Sequence, residues 1–168
     1  MAVNYGLGAT DGGGVSFAAL YLKTPEALTF TGAEAFKSIT KLGILDLDTG
    51  GSTEFRTPNP VMTILLDQIT VQNTGVYLIT YNITTSGASN DDLEFRMTSN
   101  AGWPQGVQNM YSRTGDLYEV GSNFLTFLKE GDILRFQVAN LDDTTSATVE
   151  NMNVFLNRIY LSGNDSAD

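Results

Sequence analysis

The sequence predicts an all-β protein built as a two-sheet antiparallel sandwich, and two stretches predict it most directly. Residues 69–83 place apolar side chains at alternate positions on both sides of an Asn-Thr-Gly break. Residues 124–138 repeat this pattern around a Glu-Gly-Asp break. Alternation with a period of two is typical of a strand that buries one face, and a short glycine-containing break is typical of a tight turn. Each stretch therefore predicts two strands joined by a turn.

The first thirty residues differ from the rest, so we expect an N-terminal extended arm over residues 1–30 and a single domain over residues 31–168. Five glycines fall between Gly6 and Gly14. This density favours an extended or flexible segment. The arm also contains apolar side chains, which predicts that it becomes ordered on another subunit or on a larger assembly. The alternative is that it supplies a first edge strand of the same domain.

After the arm, residues 32–42 have passable helix propensity and predict at most one short helix. From Gly43 onward the strand patterns dominate, and the predicted strands cover residues 44–47, 61–66, 69–71, 76–83, 93–97, 118–120, 124–128, 133–138 and 154–161. Turn-forming residues separate them at 57–60, 86–92, 100–106 and 142–146. Many short strands with such punctuation favour a sandwich over a repeat architecture.

The order of the later strands carries a resemblance. Gly75-Val76-Tyr77 opens an alternating strand, which is followed by a leucine-rich strand, by Gly131-Asp132 and by another strand. This arrangement resembles the jelly-roll domains of the tumour-necrosis-factor and complement globular-head superfamily, over residues 55–161. The resemblance implies a jelly-roll domain and a homotrimer, because in that superfamily two further copies cover one sheet face around a threefold axis.

An excess of apolar strand residues agrees with that implication. Residues 61–66 and 154–161 are apolar at both parities, whereas a strand of an isolated sandwich should alternate more cleanly. One sheet face should therefore be covered, and the trimer interface is aromatic-rich in the superfamily that the chain resembles. The candidate interface residues are Tyr77, Tyr81, Phe127, Phe136 and Phe155. Strand parity should assign about half of such aromatic residues to the core instead.

The composition removes several classes of function. The chain contains no cysteine and no histidine, so it offers neither the usual transition-metal ligands nor the Ser-His and Cys-His pairs of nucleophilic catalysis. Its net charge of −10 opposes binding to nucleic acid. No stretch resembles a membrane span or a signal peptide, so we expect no membrane partner, no cofactor and assembly in the host cytoplasm.

One short motif suggests an enzyme. Asp48-Thr49-Gly50 matches the active-site triplet of aspartic proteases, in which two aspartates share a proton. The chain has one copy, so a symmetric dimer would be required, and Gly51 departs from the pattern. Asp-Thr-Gly-Gly is equally a good turn between strands, and that interpretation is preferred.

Two further sets of residues suggest ligand binding. The acidic pairs Asp46/Asp48, Asp91/Asp92 and Asp142/Asp143 offer oxygen ligands to a hard cation, but no complete calcium-loop motif is present and solvated turns are favoured. We therefore assign no metal site. Trp103 lies in a Gly- and Pro-rich loop, where it either contacts a receptor or carbohydrate or plugs one end of the core.

These features together predict a non-enzymatic structural protein of a virion, namely a bacteriophage capsid decoration (cement) or head-fibre subunit that stabilises the capsid surface. In this hypothesis the arm binds the major capsid protein through Tyr5, Leu7, Phe17 and Tyr21, and the domain forms the trimer. The alternatives are a receptor- or carbohydrate-binding head and an aspartic protease that uses Asp48.

Overall fold

The computed structural model describes residues 17–44, 62–65, 68–87, 90–100, 105–111 and 116–159. All regular elements within these ranges are β-strands. In chain order they are β1 (Phe17–Leu22), β2 (Glu26–Leu28), β3 (Lys37–Ser38), β4 (Leu42–Ile44), β5 (Met62–Leu65), β6 (Gln68–Val71), β7 (Gly75–Gly87), β8 (Asp92–Ser99), β9 (Gln105–Tyr111), β10 (Tyr118–Leu128), β11 (Ile133–Asn140) and β12 (Ala147–Ile159). The predicted all-β class is confirmed.

The strands form two antiparallel sheets that pack face to face. The first sheet has the order β10-β7-β12-β1-β4, with β2 paired to the early part of β12. The second sheet has the order β5-β6-β11-β8-β9, with β3 paired to β11. Most consecutive strands thus lie in opposite sheets, whereas β5–β6 and β8–β9 pair within the second sheet, and the arrangement is a jelly roll as the resemblance implied.

The two stretches that predicted the fold behave differently from simple hairpins. The segments on either side of the Asn-Thr-Gly break are β6 and β7, which belong to opposite sheets, and those around Glu130-Gly131-Asp132 are β10 and β11, which also belong to opposite sheets. Gly131 has a φ of +85°, and its N–H donates to the Val71 carbonyl at 2.8 Å. The two turns therefore lie side by side and connect the sheets at one end of the sandwich.

The core lies between the sheets and is filled by alternate residues of the long strands. Tyr77, Ile79, Tyr81 and Ile83 of β7 are all at most 2% exposed, while the residues between them point outward. β8 and β11 alternate in the same way. Burial of one face per strand is the pattern that the sequence displays most clearly, and it supplies most of the apolar burial that stabilises the domain.

Residues 17–30 belong to the sandwich, which corrects the expected arm at that point. β1 pairs with β12 from Phe17↔Asn157 to Tyr21↔Asn153, and it also pairs with β4. Leu20, Leu22, Leu28 and Phe30 are buried in the core. The alternative interpretation, a strand of the same domain, describes this segment, although β1 is an inner strand and not an edge. Residues 1–16 of the expected arm lie outside the described residues.

The short helix expected within residues 32–42 does not form. Glu34 has a φ of +60°, which a helix does not permit, and its N–H donates to the Asn140 carbonyl at 2.7 Å. The N–H of Ile39 donates to the Phe136 carbonyl at 2.9 Å. This segment satisfies its backbone groups on β11 and buries Ile39, so tertiary pairing overrides a weak helix propensity.

A buried carboxylate holds the same segment from the other side. Glu26 of β2 is 6% exposed, and its side-chain oxygens accept hydrogen bonds from the N–H groups of Thr40 and Lys41, both at 2.9 Å for Oε2. The Thr40 hydroxyl donates to Oε1 at 2.6 Å. Three donors satisfy one carboxylate, which makes its burial tolerable and ties the strand β2 to the connection between β3 and β4.

Candidate assembly surface

Most outward side chains of the first sheet carry no charge; Glu119, which accepts from Asn82, and Glu150, which accepts from Ser86, lie at one end of this surface. We call it the uncharged face and define it by Val76, Leu78, Thr80 and Asn82 of β7, Gly121, Asn123, Leu125 and Phe127 of β10, Asn153, Phe155, Asn157 and Ile159 of β12, and Ala19 and Tyr21 of β1. Strand register places these residues side by side in rows, for example Phe127–Val76–Ile159 and Leu125–Leu78–Asn157. None carries a charge, in a chain with 28 charged residues.

The uncharged face exposes large apolar side chains at one end. Leu125 is 61% exposed, Phe127 59% and Phe155 54%, and Leu78 lies among them. We call this end, where β7 begins and β10 and β12 end, the apolar half. Adjacent exposed side chains of this size are unusual on a monomeric protein and mark a surface that binds another macromolecule. Asparagine side chains are the commonest at the other end, so the side chains of the face become more polar from one end of the strands to the other.

The outward side of the second sheet is different. We call it the charged face and define it by Glu94, Arg96 and Thr98 of β8, Arg135 and Gln137 of β11, Thr70 of β6 and Asn109 of β9. The Arg96 guanidinium lies 3.2 Å from the centroid of the Phe36 ring, donates to the Gln137 side chain at 3.2 Å and approaches Glu94 at 3.9 Å. These groups satisfy one another and water, as on an ordinary solvent-facing sheet.

The structure divides the five predicted trimer-interface residues between surface and core. Phe127 and Phe155 lie on the uncharged face. Tyr77, Tyr81 and Phe136 are at most 2% exposed and lie between the sheets, so they cannot form an interface, and their assignment is corrected. The rings of Tyr81 and Phe136 pack edge to face with centroids 5.8 Å apart. The physical reason is parity, because neighbouring residues of one strand point to opposite faces.

The two buried tyrosines are held by main-chain acceptors. The Tyr77 hydroxyl donates to the Asn73 carbonyl at 2.6 Å, and the Tyr81 hydroxyl donates to the Gly106 carbonyl. Burial raises the pKa of Tyr81, so its hydroxyl remains a donor. The interaction of Tyr81 links the first sheet to β9 of the second. Both tyrosines are therefore structural.

Sequence reasoning missed Leu78 and Leu125, the cross-strand pair at the centre of the apolar half. The predicted interface residues were all aromatic because the superfamily that the chain resembles has an aromatic-rich interface. The parity of Phe127 could have identified Leu125, since residues two apart on a strand share a face. The partner Leu78 then follows only from the β7–β10 register, which the sequence does not state.

The predicted attachment residues are only partly described. Tyr5 and Leu7 lie outside the described residues. Phe17 begins β1 opposite Asn157, and Tyr21, which is 37% exposed, lies on the uncharged face opposite Asn153. The first residue of β1 thus lies beside the apolar half.

The remaining predicted ligand residues do not converge on a site. Asp46, Asp48 and Trp103 lie outside the described residues, so the protease, the first acidic pair and the tryptophan contact stay untested predictions. A shallow groove of about 420 Å³ lies between β9 and β10, lined by Thr80, Tyr81, Gln108, Gly121, Ser122 and Asn123. Its lining is polar and uncharged, so it offers hydrogen bonds without an ion pair.

The other two acidic pairs meet at one corner of the sandwich, around Asn140. The Asn140 amide donates to Asp91 at 2.8 Å and to Asp143 at 3.0 Å, and its oxygen accepts from the N–H groups of Asp142 and Asp143. The backbone N–H of Thr145, followed by its hydroxyl, holds the pKa of Asp143 below its usual value. These carboxylates fix a turn, and the described residues contain no group of three or more metal-ligating side chains arranged for a cation.

Within the described ranges, no helix is long and apolar enough to cross a membrane. Neither a family model nor a curated protein sequence matches the chain. Similarity is found among solved structures, and it concerns the fold.

The chain is similar to the Eiger TNF of S. frugiperda with a TM-score of 0.63 and 16% identity, over 92% of this chain and 98% of the other. It is similar to the globular domain of the zebrafish complement 1qA protein with a TM-score of 0.53 and 14% identity, over 87% and 98%. It is also similar to the PRD1 vertex protein P5 with a TM-score of 0.55 and 17% identity, over 88% and 100%. The chain therefore has the TNF- and complement-type jelly-roll fold, as its sequence indicated.

Proposed function

We propose that this protein is a non-enzymatic structural component of a virion, which forms a homotrimer through the uncharged face and binds a capsid surface as a decoration or head-fibre subunit. The single observation that carries the proposal is the uncharged face itself. Its apolar half exposes Leu125, Phe127 and Phe155 to water in the isolated chain. Another macromolecule should cover this surface in a stable protein, and two further copies of the chain around a threefold axis would do so.

Charge supports identical copies as the cover. Each chain carries a net charge of −10, so copies repel one another wherever charged surfaces meet. Apart from Glu119 at its asparagine-rich end, the uncharged face lets two copies approach without placing carboxylates together. The charged face, with its internally paired Arg96, has no such need of a partner.

The position of β1 supports attachment through the preceding residues. β1 begins at Phe17 in the row that also contains Leu125, Leu78 and Asn157, so its first residue lies beside the apolar half. Sixteen residues span at most about 50 Å when extended. Tyr5 and Leu7 would then bind the major capsid protein, while Phe17 and Tyr21, which belong to β1, contribute less to attachment than the sequence suggested.

The fold of the PRD1 vertex protein P5 shows that this jelly roll occurs in a protein of a virion vertex, which favours a virion role over a secreted one. The described residues offer no catalytic set. A receptor- or carbohydrate-binding head is the second candidate, and the polar groove between β9 and β10 is the observation that favours it.

The solution mass tests the assembly, measured by light scattering over a wide range of protein concentration. A constant mass near three times 18.2 kDa is expected. Deletion of residues 2–16 should leave the trimer intact and abolish binding to capsids, because the deletion stops before β1. A monomer at every concentration contradicts the trimer, and capsid binding by the deletion variant contradicts attachment by the arm.

A further inference from the structure

We propose that the asparagines of the uncharged face form a hydrogen-bonded layer between copies of the chain, and that this layer fixes how the subunits align and limits the assembly to one size. The inference rests on the homotrimer proposed above and names the residues that specify it. We call these residues the asparagine cluster: Asn82, Asn123, Asn153 and Asn157 of the uncharged face, together with Asn151, which lies one row beyond it on β12.

The cluster is unexpected on the grounds of strand formation alone. Asparagine is depleted in β-strands because its side chain competes for nearby backbone groups, which favours turns. Three adjacent strands nevertheless carry it at outward positions, and on β12 it alternates with Met152 and Val154 of the core. By comparison, the charged face as defined above has one asparagine, Asn109, beside charged residues, threonines and Gln137. The cluster therefore requires a reason other than solubility or propensity.

The register brings part of the cluster into direct contact range. Asn82 and Asn153 are cross-strand partners, so their side chains are about 5 Å apart at Cβ. Asn151 pairs with Thr84 one row further along, and Tyr21 pairs with Asn153 on the other side. Gly121, opposite Asn82 on β10, contributes no side chain and leaves room above the sheet. The result is an amide-rich surface next to the apolar half, with Glu119 in the row of Thr84 and Asn151.

The cluster has hydrogen-bonding capacity that the subunit does not use. Asn82 donates to Glu119 at 3.4 Å, and in the part of the chain that the structure describes the other four side chains have no hydrogen-bond partner. By contrast, the amide of the buried Asn140 makes five hydrogen bonds within the subunit. An amide is both donor and acceptor, so identical amides from neighbouring copies satisfy one another.

An amide layer would also supply the directional contacts that the apolar half lacks. Apolar contacts are non-directional, so an entirely apolar face permits subunits to slide and additional copies to join. Amides bond only when aligned, and misalignment buries them without partners, which is costly. A buried asparagine specifies register and oligomer size in coiled coils by this mechanism. Further carboxylates could not do so here, because they would add to the repulsion between acidic copies.

The substitution Asn153→Leu in the full chain tests the layer, because leucine has a similar volume and no hydrogen-bonding group. If the amides bond across the interface, the variant should dissociate at a concentration at least tenfold higher than wild type, or lose the single mass for a mixture of sizes. Asn109→Leu on the charged face is the matched control and should keep the wild-type mass and dissociation midpoint. Circular dichroism checks that each subunit is folded, and Asn82→Leu repeats the test at the partner position.

Whether Asn153→Leu weakens or strengthens the trimer distinguishes a hydrogen-bonded layer from an interface without one. A variant trimer that is tighter than wild type, or unchanged, shows that Asn153 makes no bond across the interface and overturns the layer while the trimer stands. A monomeric wild-type protein overturns the trimer and the layer together. Weaker or heterogeneous assembly in both Asn→Leu variants, with an unchanged Asn109→Leu control, supports the layer.

Discussion

The two outer faces of the sandwich are made from equivalent strands, yet they have opposite chemistry. The charged face pairs Arg96 with Glu94, Gln137 and the Phe36 ring, so its polar groups are satisfied within one subunit. The uncharged face leaves Leu125 and Phe155 exposed, and within the described residues only Asn82 of its asparagines has a side-chain hydrogen bond. The inner faces of both sheets are constrained to be apolar by the fold. The fold does not require the outer faces to be apolar. We therefore infer that the difference between the two outer faces reflects a difference in what each face contacts.

The most disruptive test of this comparison introduces a charge into the apolar half. Phe155→Glu places three carboxylates at the proposed interface, and an unpaired buried charge costs about 3 kcal/mol or more per subunit. We expect the trimer to become a folded monomer, with the mass measured by light scattering and the fold by circular dichroism. Thr98→Glu makes the corresponding change on the charged face and should leave the mass unchanged. Equal behaviour of the two variants would remove the distinction between the faces.

The second prediction concerns the stability of the single subunit, measured without a contribution from trimer assembly. Glu26→Ala leaves the N–H groups of Thr40 and Lys41 and the Thr40 hydroxyl without their acceptor, which should lower the free energy of unfolding by about 2–3 kcal/mol. Chemical denaturation of the trimer-deficient Phe155→Glu background measures this loss without a contribution from dissociation. Glu26→Gln retains one acceptor oxygen and should lose less. An alanine variant as stable as its parent would show that the segment is held by β11 alone.

The third prediction concerns the contact between β9 of the second sheet and β10 of the first sheet, which we call the seam. Gly106 has a φ of +60°, and a Cβ added there would lie 2.3 Å from the Phe124 ring. Gly106→Ala should therefore cost about 2 kcal/mol through strain and overpacking. Gly131 has a φ of +85° but nothing within 4 Å of an added Cβ, so Gly131→Ala should cost only about 1 kcal/mol. Thermal unfolding measures both, and a reversed order would contradict the account of the seam.

The sequence predicted the fold class because parity is a local property. The alternation in β7, β10 and β11 is visible over a few residues, and the structure confirms it. β9 was missed because its sequence, Gln105–Tyr111, is largely polar and contains a glycine that a bulged edge strand tolerates. Likewise, the boundary at residue 30 was wrong for residues 17–30, because β1 is recognisable only from its pairing with β12, more than a hundred residues away.

The sequence predicted that one sheet has an apolar outer face, but it did not predict correctly which residues form that face. Doubled apolar parity in residues 154–161 predicted apolar side chains on a second face, and Phe155 is exposed there. Which of Tyr77, Tyr81 and Phe136 face inward depends on the orientation of each strand relative to the core. A shift by one residue exchanges the two faces, and only the register between strands fixes that choice.

The smallest expected effect is on the charged face. Arg96→Ala removes the contact with the Phe36 ring, the hydrogen bond to Gln137 and a long ion pair with Glu94, all at partly exposed positions. Water competes for each of these groups, so the loss in the free energy of unfolding should be about 1 kcal/mol or less. Assembly mass should not change, because the groups that Arg96 contacts belong to its own subunit. Phe36→Leu keeps the apolar contact and removes the aromatic face, so it should show part of the same loss. A change in mass after Arg96→Ala would mean that the charged face also binds a partner, and the two faces would then differ in strength of contact and not in kind.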